Sequence, residues 1–120
     1  MIKIDENSNE AIYMQLRNQI IMGIASDWIR EGDMLPSVRQ MAESIGINMH
    51  TVNKAYSVLQ QEGIVNIGRR GAVICIDADR LCALEEMKQE LRMVIVKGIC
   101  KNITGAEVHQ MIDEILDEYR

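Results

Sequence analysis

Residues 35–63, LPSVRQMAESIGINMHTVNKAYSVLQQEG, spell two short helices joined by a tight turn. Pro36 and Ser37 open the first, because proline suits the first turn of a helix and a serine hydroxyl accepts from backbone N–H groups left free there. Val38, Met41, Ala42 and Ile45 recur at helical spacing and give it one apolar face. Gly46 tolerates the left-handed conformation that ends many helices. Asn48 is a good cap for the second helix, whose apolar stripe is Val52, Ala55, Tyr56 and Leu59 and whose stop is Gly63. Two short helices with a glycine in the turn form the helix-turn-helix pattern. The polar residues of the second helix, Asn48, His50, Thr51, Asn53 and Lys54, gather towards its N-terminal end, where such helices meet base edges.

Helix pairs of this shape also occur in proteins that never touch DNA, so residues 64–76 decide between the two. Ile64, Val65 and Ile67 read as a short strand, GRRG at 68–71 as a tight turn, and Ala72 to Ile76 as a returning strand. A hairpin with Arg69 and Arg70 at its tip, directly after a helix-turn-helix, is the layout of a winged helix. That context separates it from an ordinary hairpin with solvated arginines.

Ile12-Tyr13-x-Gln15-Leu16, Gly32-Asp33-x-Leu35-Pro36-Ser37-x-Arg39, Thr51-Val52 with Ala55-Tyr56, and Glu62-Gly63-Ile64-Val65 stand in a specific order and spacing. Through them residues 11–76 resemble the DNA-binding domain of the GntR family of bacterial transcription regulators. The 44 residues after the wing resemble its short YtrA-type branch, in which a pair of dimerising helices replaces a large effector domain. The resemblance implies that Ser37 and the start of its helix bind a backbone phosphate, that Arg39 reaches the DNA, and that Arg69 and Arg70 enter or straddle the minor groove. Some relatives carry arginine where this chain has Met49 and Asn53, which points here to adenine contact by Asn53 or methyl contact by Thr51. Tyr56 belongs to the core by its stripe position, with a hydroxyl long enough to reach a phosphate. The branch often controls genes for ABC-type membrane transporters.

Composition sets the frame. A chain of 120 residues allows one compact domain and a small appendage, and 48% hydrophobic residues support a real core. No apolar run is long enough to span a membrane, and MIKIDENSNE is unlike a signal peptide, which leaves the cytoplasm as the expected location. Cys75, Cys82 and Cys100 lack C-x-x-C spacing; they read as small apolar core residues rather than as a zinc site, a disulfide framework or a redox sensor. Nine methionines and no phenylalanine suggest a core filled by flexible side chains. The net charge of −5 is uneven: residues 1–76 hold 7 basic and 8 acidic residues, whereas 77–120 hold 6 and 10. The excess acid therefore lies in the tail, away from Arg39, Lys54, Arg69 and Arg70.

In chain order, Ile2 and Ile4 alternate with polar residues, as a small strand or a docked arm would. Ser8 or Asn9 is the expected cap of the first helix, whose inward face is Ile12, Leu16, Ile20 and Ile24. Gly23 inside that helix suggests close packing against another helix. Trp28, the single tryptophan, is expected to cap the core beside the wing. Beyond the wing, Leu81, Leu84, Met87, Leu91, Val94 and Gly98 alternate three- and four-residue steps, the seam of a helix that packs on other helices. Ile95 and Ile99 broaden it. Thr104 with Glu107 forms a capping box, and Val108, Met111, Ile112, Ile115, Leu116 and Tyr119 line the last helix. The short link between the two predicts an antiparallel pair.

No catalytic or metal-binding constellation emerges. His50 and His109 are lone histidines, the acidic cluster Asp113, Glu114, Asp117 and Glu118 reads as a solvated helix face, and GRRG lacks the lysine and length of a phosphate-binding loop. The expectation is a mostly α fold: a winged helix-turn-helix over 1–76 and a two-helix antiparallel dimerisation tail over 77–120. The expected partners are double-stranded DNA and a second copy, with no enzyme activity, cofactor, metal or membrane, and no dedicated effector domain. The alternative is a winged-helix protein-interaction module whose acidic tail binds a partner, which almost no binding to random duplex DNA would reveal, where a regulator binds in a salt-dependent way.

Overall fold

The computed structural model describes residues 2–77 and 79–119. The elements are α1 (Ile12–Ala25), α2 (Val38–Ile45), α3 (Met49–Gln61), β1 (Val65–Gly68), β2 (Gly71–Ile74), α4 (Arg80–Cys100) and α5 (Gly105–Glu118). The chain divides into two compact units, Met1–Asp77 and Ala78–Arg120.

In the first unit α3 packs against α1, α2 and β1. Its stripe of Val52, Ala55, Tyr56 and Leu59 is buried against Leu16 and Ile20 of α1, Met41 and Ala42 of α2, Leu35, and Val65, Ala72 and Ile74 of the hairpin. The Tyr56 hydroxyl donates to the Pro36 carbonyl at 2.7 Å, and burial pushes the phenol up to about 12. That hydroxyl is thus committed to the fold and not extended towards a phosphate.

The hairpin pairs Val65 with Ile74 and Gly68 with Gly71. Its second strand stops at Ile74 rather than Ile76. A third segment joins it. Met34 bridges Val73, Leu35 N–H donates to Ala72 O at 2.8 Å, and Ile74 N–H donates to Asp33 O at 2.8 Å. Residues 32–35 thus continue the wing's sheet, although Gly32 and Asp33 carry no strand signal.

The start of α1 differs from expectation. Residues 6–10 turn outside the helix, and Ala11 stands at its start with no side-chain cap, so neither Ser8 nor Asn9 caps it. Gln15 organises the entry instead. Its buried amide donates to the Asp5 and Glu10 carbonyls, each at 2.9 Å, and its oxygen accepts from Asp5 N–H at 2.8 Å. One turn on, Gln19 treats Lys3 alike, accepting from its N–H at 2.8 Å and donating to its carbonyl at 2.6 Å. Ile2 and Ile4 pack on the core. The alternation at the N-terminus is therefore a docked arm.

Four helices end by one device. Asp27, Gly46, Gly63 and Asn102 take φ of 62°, 70°, 73° and 65° after α1, α2, α3 and α4. The next N–H, of Trp28, Ile47, Ile64 or Ile103, then donates five residues back at 2.9–3.1 Å. This closure satisfies carbonyls that a helix end leaves free. At α1 it explains Gly23: a Cβ there would lie 2.8 Å from Ile29 Cδ1, so the glycine accommodates the chain folding back after its own helix, not another helix. It also leaves Trp28 59% exposed rather than capping the core.

Two compositional expectations fail. Cys75, Cys82 and Cys100 are all exposed, none of them in the core. Among the described residues Met41 is the one methionine in the core, which is otherwise mainly leucine, isoleucine, valine and alanine, while Met22, Met34, Met49, Met87, Met93 and Met111 face outward.

The second unit has the expected capping box: Glu107 N–H donates to Thr104 Oγ1 at 3.2 Å, and Thr104 N–H donates to Glu107 Oε1 at 2.9 Å. These bonds hold the Glu107 carboxyl below its usual range. No residue of α4 or α5 is buried within the chain. Partial burial clusters near the turn, at Ile95, Gly98, Ile103, Val108 and Ile112. Leu81, Leu84, Met87, Leu91, Val94, Ile99, Met111, Ile115 and Leu116 all remain exposed.

Two consequences are measurable by chemical denaturation. Gly46→Ala should cost about 1 kcal/mol, the penalty of a left-handed non-glycine residue. Gly63→Ala should cost more, because its Cβ would also lie 2.9 Å from Asp77 Cβ. Tyr56→Phe should cost about 1 kcal/mol by leaving the Pro36 carbonyl without its donor. The wild-type phenol titrates higher folded than unfolded, so its contribution is full below pH 10 and lost as pH rises towards about 12. Tyr56→Phe should lack that component of the pH dependence.

Candidate nucleic-acid interface

The starts of α2 and α3 and the tip of the wing carry all nine residues singled out for DNA contact. Ser37 caps α2: its hydroxyl accepts from Gln40 N–H at 3.1 Å, while Gln40 Oε1 accepts from Ser37 N–H at 3.1 Å. The Ser37 hydroxyl proton is still available to donate, beside the positive end of the helix dipole. Arg39, the second residue of α2, is exposed and makes no hydrogen bond or ion pair among the described residues.

Asn48 is committed differently. Its Oδ1 accepts from His50 N–H at 2.7 Å and caps α3, which leaves the amide NH2 as the donor for another partner. His50 and Asn53 have exposed side chains with no internal partner among the described residues, whereas Thr51 is half-buried. Lys54 extends over the ring of Tyr13 in α1, with Nζ 4.1 Å from its centroid. That contact orients the lysine while its ammonium stays exposed.

Arg69 and Arg70 are exposed in the two-residue connection between paired Gly68 and Gly71. The left-handed turn falls on Gly71, with φ 116°, so neither arginine adopts a positive φ. The wing's stem is tied to α3, because Ile67 N–H donates to Gln60 Oε1 at 3.2 Å. Arg17 of α1 forms a two-pronged ion pair with Glu62 at the end of α3. The structure thus brings Ser37 and Arg39 together on α2, Asn48 to Lys54 on one end of α3, and the two arginines on a braced hairpin.

Sequence reasoning missed three residues here. Gln60 and Tyr13 support the interface through contacts across elements, which no local pattern reveals. Met49 stands out in the sequence only as a departure from relatives, yet it opens α3 with 47% of its surface exposed. Its apolar character is a signal, since it lies off the stripe formed by Val52, Ala55, Tyr56 and Leu59.

A three-helix unit with a capped helix-turn-helix and an arginine-tipped hairpin defines a winged-helix DNA-binding protein. The model of the gntR family of bacterial regulatory proteins matches residues 9–74, and the chain belongs to that family. It is 34% identical over 119 residues to the HTH-type transcriptional repressor YtrA of Bacillus subtilis, covering 96% of this chain and 92% of that one. Among solved structures it is similar to YtrA from Sulfolobus acidocaldarius, a GntR-family transcription factor, with TM-score 0.64, 36% identity and coverage of 98% and 97%. It is also similar to a transcriptional antiterminator from Listeria monocytogenes EGD-e, with TM-score 0.82, 28% identity and coverage of 96% and 89%. The chain is a GntR-family transcription regulator with a DNA-binding domain, and its family is one of regulators, not enzymes. No helix among the described residues is long and apolar enough to cross a membrane.

The divided roles on α3 give a test. Asn48→Ala should lower stability by about 1 kcal/mol through loss of the cap. Asn53→Ala should change it by less than about 0.5 kcal/mol, because its exposed side chain holds no part of the fold. Urea melts of the two variants beside the wild type make the comparison. A large loss for Asn53→Ala would mean that its side chain supports the domain.

Proposed function

We propose that this chain is a cytoplasmic repressor that acts as a homodimer on a two-fold symmetric operator. Residues 1–76 form its DNA-binding domain and 77–120 its dimerisation tail. The observation that carries the DNA reading is the set of uncommitted side chains at the helix starts. Arg39, His50 and Asn53 are exposed hydrogen-bonding groups whose side chains have no partner among the described residues. Arg39 and Asn53 specify sequence, from helices at the major groove. Ser37, Arg69 and Arg70 position the protein on the backbone, with Lys54 and the Asn48 amide at the edge of the contact. Repression is supported by the name of the Bacillus relative. By the branch the chain resembles, the controlled genes encode ABC-type transporters.

The tail supports the homodimer. Leu81, Leu84, Met87, Leu91 and Val94 on α4, and Met111 and Ile115 on α5, are exposed, and Ile95, Val108 and Ile112 are partly buried. Apolar surface on this scale is normally removed from water by association. Residues 91–100, LRMVIVKGIC, are apolar around most of the helix, which suits an element enclosed on several sides. Two copies of the hairpin provide such an enclosure. A dimer would place two recognition helices on half-sites about one helical turn of DNA apart, roughly 34 Å.

Two measurements test this reading. Leu91→Glu puts a charge into the seam and should shift sedimentation from dimer to monomer; an unchanged dimer would place the interface elsewhere. On a selected operator, Asn53→Ala should cost roughly 1–3 kcal/mol of binding and little on scrambled duplex. Arg70→Ala should weaken both and reduce the salt dependence by about one phosphate contact. Equal losses on both DNAs for Asn53→Ala would remove it as a base reader.

A further inference from the structure

We infer that Met49 reads the 5-methyl group of a thymine in the major groove, a specificity contact that rests on the proposed regulator function. Three observations converge on it. Met49 is the first residue of α3 and is 47% exposed, while Thr51, the residue expected to meet a methyl group, is half-buried. Met49 also forms one wall of a hollow shared with Arg39, Ala42, Glu43, Gly46 and Ile47. The Gly46 side of that hollow is open, since nothing lies within 4 Å of where a Cβ would be. Finally, Met49 and Asn53 are one helical turn apart and share a face. An apolar side chain thus stands between two hydrogen-bonding ones, Arg39 across the turn and Asn53 along the helix.

The chemistry of the groove identifies the partner. Arginine pairs with guanine and asparagine with adenine through hydrogen bonds. Methionine offers no donor and only a weak acceptor, so it cannot read a base edge in that way. The thymine methyl is the one apolar group that a base pair presents in the major groove. A flexible, polarizable thioether beside Ala42 and Ile47 gives that methyl a carbon-lined place to leave water.

The test uses the full chain and the duplex it prefers, selected from a random library. Each thymine is replaced in turn by deoxyuridine, which keeps every hydrogen-bonding group and removes only the methyl. One thymine in each half-site should weaken wild-type binding about fourfold on replacement, the worth of one buried methyl group. Met49→Ala should bind the thymine and uracil duplexes equally. Met49→Gln provides a second variant of similar length should the alanine variant fold poorly, and it should also lose the discrimination. A scan with no sensitive thymine overturns the inference. So does equal sensitivity in wild type and variants, which would put the methyl reader elsewhere. A chain that retains no duplex during selection overturns the regulator reading and this inference with it, whereas tight binding with a silent uracil scan removes only the methyl contact.

Discussion

The hydrogen bond from Tyr56 to the Pro36 carbonyl joins the middle of α3 to the residue preceding the Ser37 cap of α2. It holds together two helices whose exposed ends carry Arg39 and Asn53. The buried stripe of α3 limits how the helix tilts on the core, and this bond limits how it slides along α2. A polar group in that position is costly to bury without a partner, so the geometry is selected by penalty as well as by attraction. Moving α2 against α3 would leave the buried phenol without its acceptor. The spacing of the outward-facing residues is therefore fixed from inside the domain.

The helix-turn-helix was legible because its signals are local. Ser37, Gly46 and Asn48 each act on backbone groups within a few residues, and the apolar stripes repeat at one fixed period. The wing was legible for the same reason, although its partner at 32–35 was not, since Met34 meets Val73 across a long stretch of chain. Gln15 stood in the family-like pattern, but its task was hidden because it holds backbone atoms, whose positions no residue type announces. Trp28 and the cysteines failed differently. Apolar character gives a tendency towards burial, and the closure after α1 exposes the indole. Within the candidate interface, the exposure of Met49 and the half-burial of Thr51 follow from which side of α3 meets solvent, a matter of packing that composition does not carry.

The methionines separate two demands. The first unit's core uses branched and compact side chains that hold defined rotamers, with Met41 as the exception. The long flexible thioethers lie mostly outside, at Met34 and Met49 in the first unit and at Met87, Met93 and Met111 in the tail. Methionine adapts to irregular or changing partners at little cost in strain. Rigid residues thus maintain the scaffold, while the deformable ones lie mostly at exposed surface. The charge is also uneven along the sequence, with 7 basic and 8 acidic residues in 1–76 against 6 and 10 in 77–120.

The arm at residues 2–5 shows where structural information can be stored. Gln15 and Gln19 each engage both the N–H and the carbonyl of one arm residue, Asp5 and Lys3 respectively. Two carboxamides thus do the work of a neighbouring strand, and they recognise the peptide link, which is the same for every residue but proline. The side chains of Lys3 and Asp5 are free of that duty, while Ile2 and Ile4 need only be apolar. The specification of this segment has moved out of the segment and into the helix beneath it. The arm can therefore drift in sequence and keep its path, whereas the two glutamines cannot be exchanged without losing it.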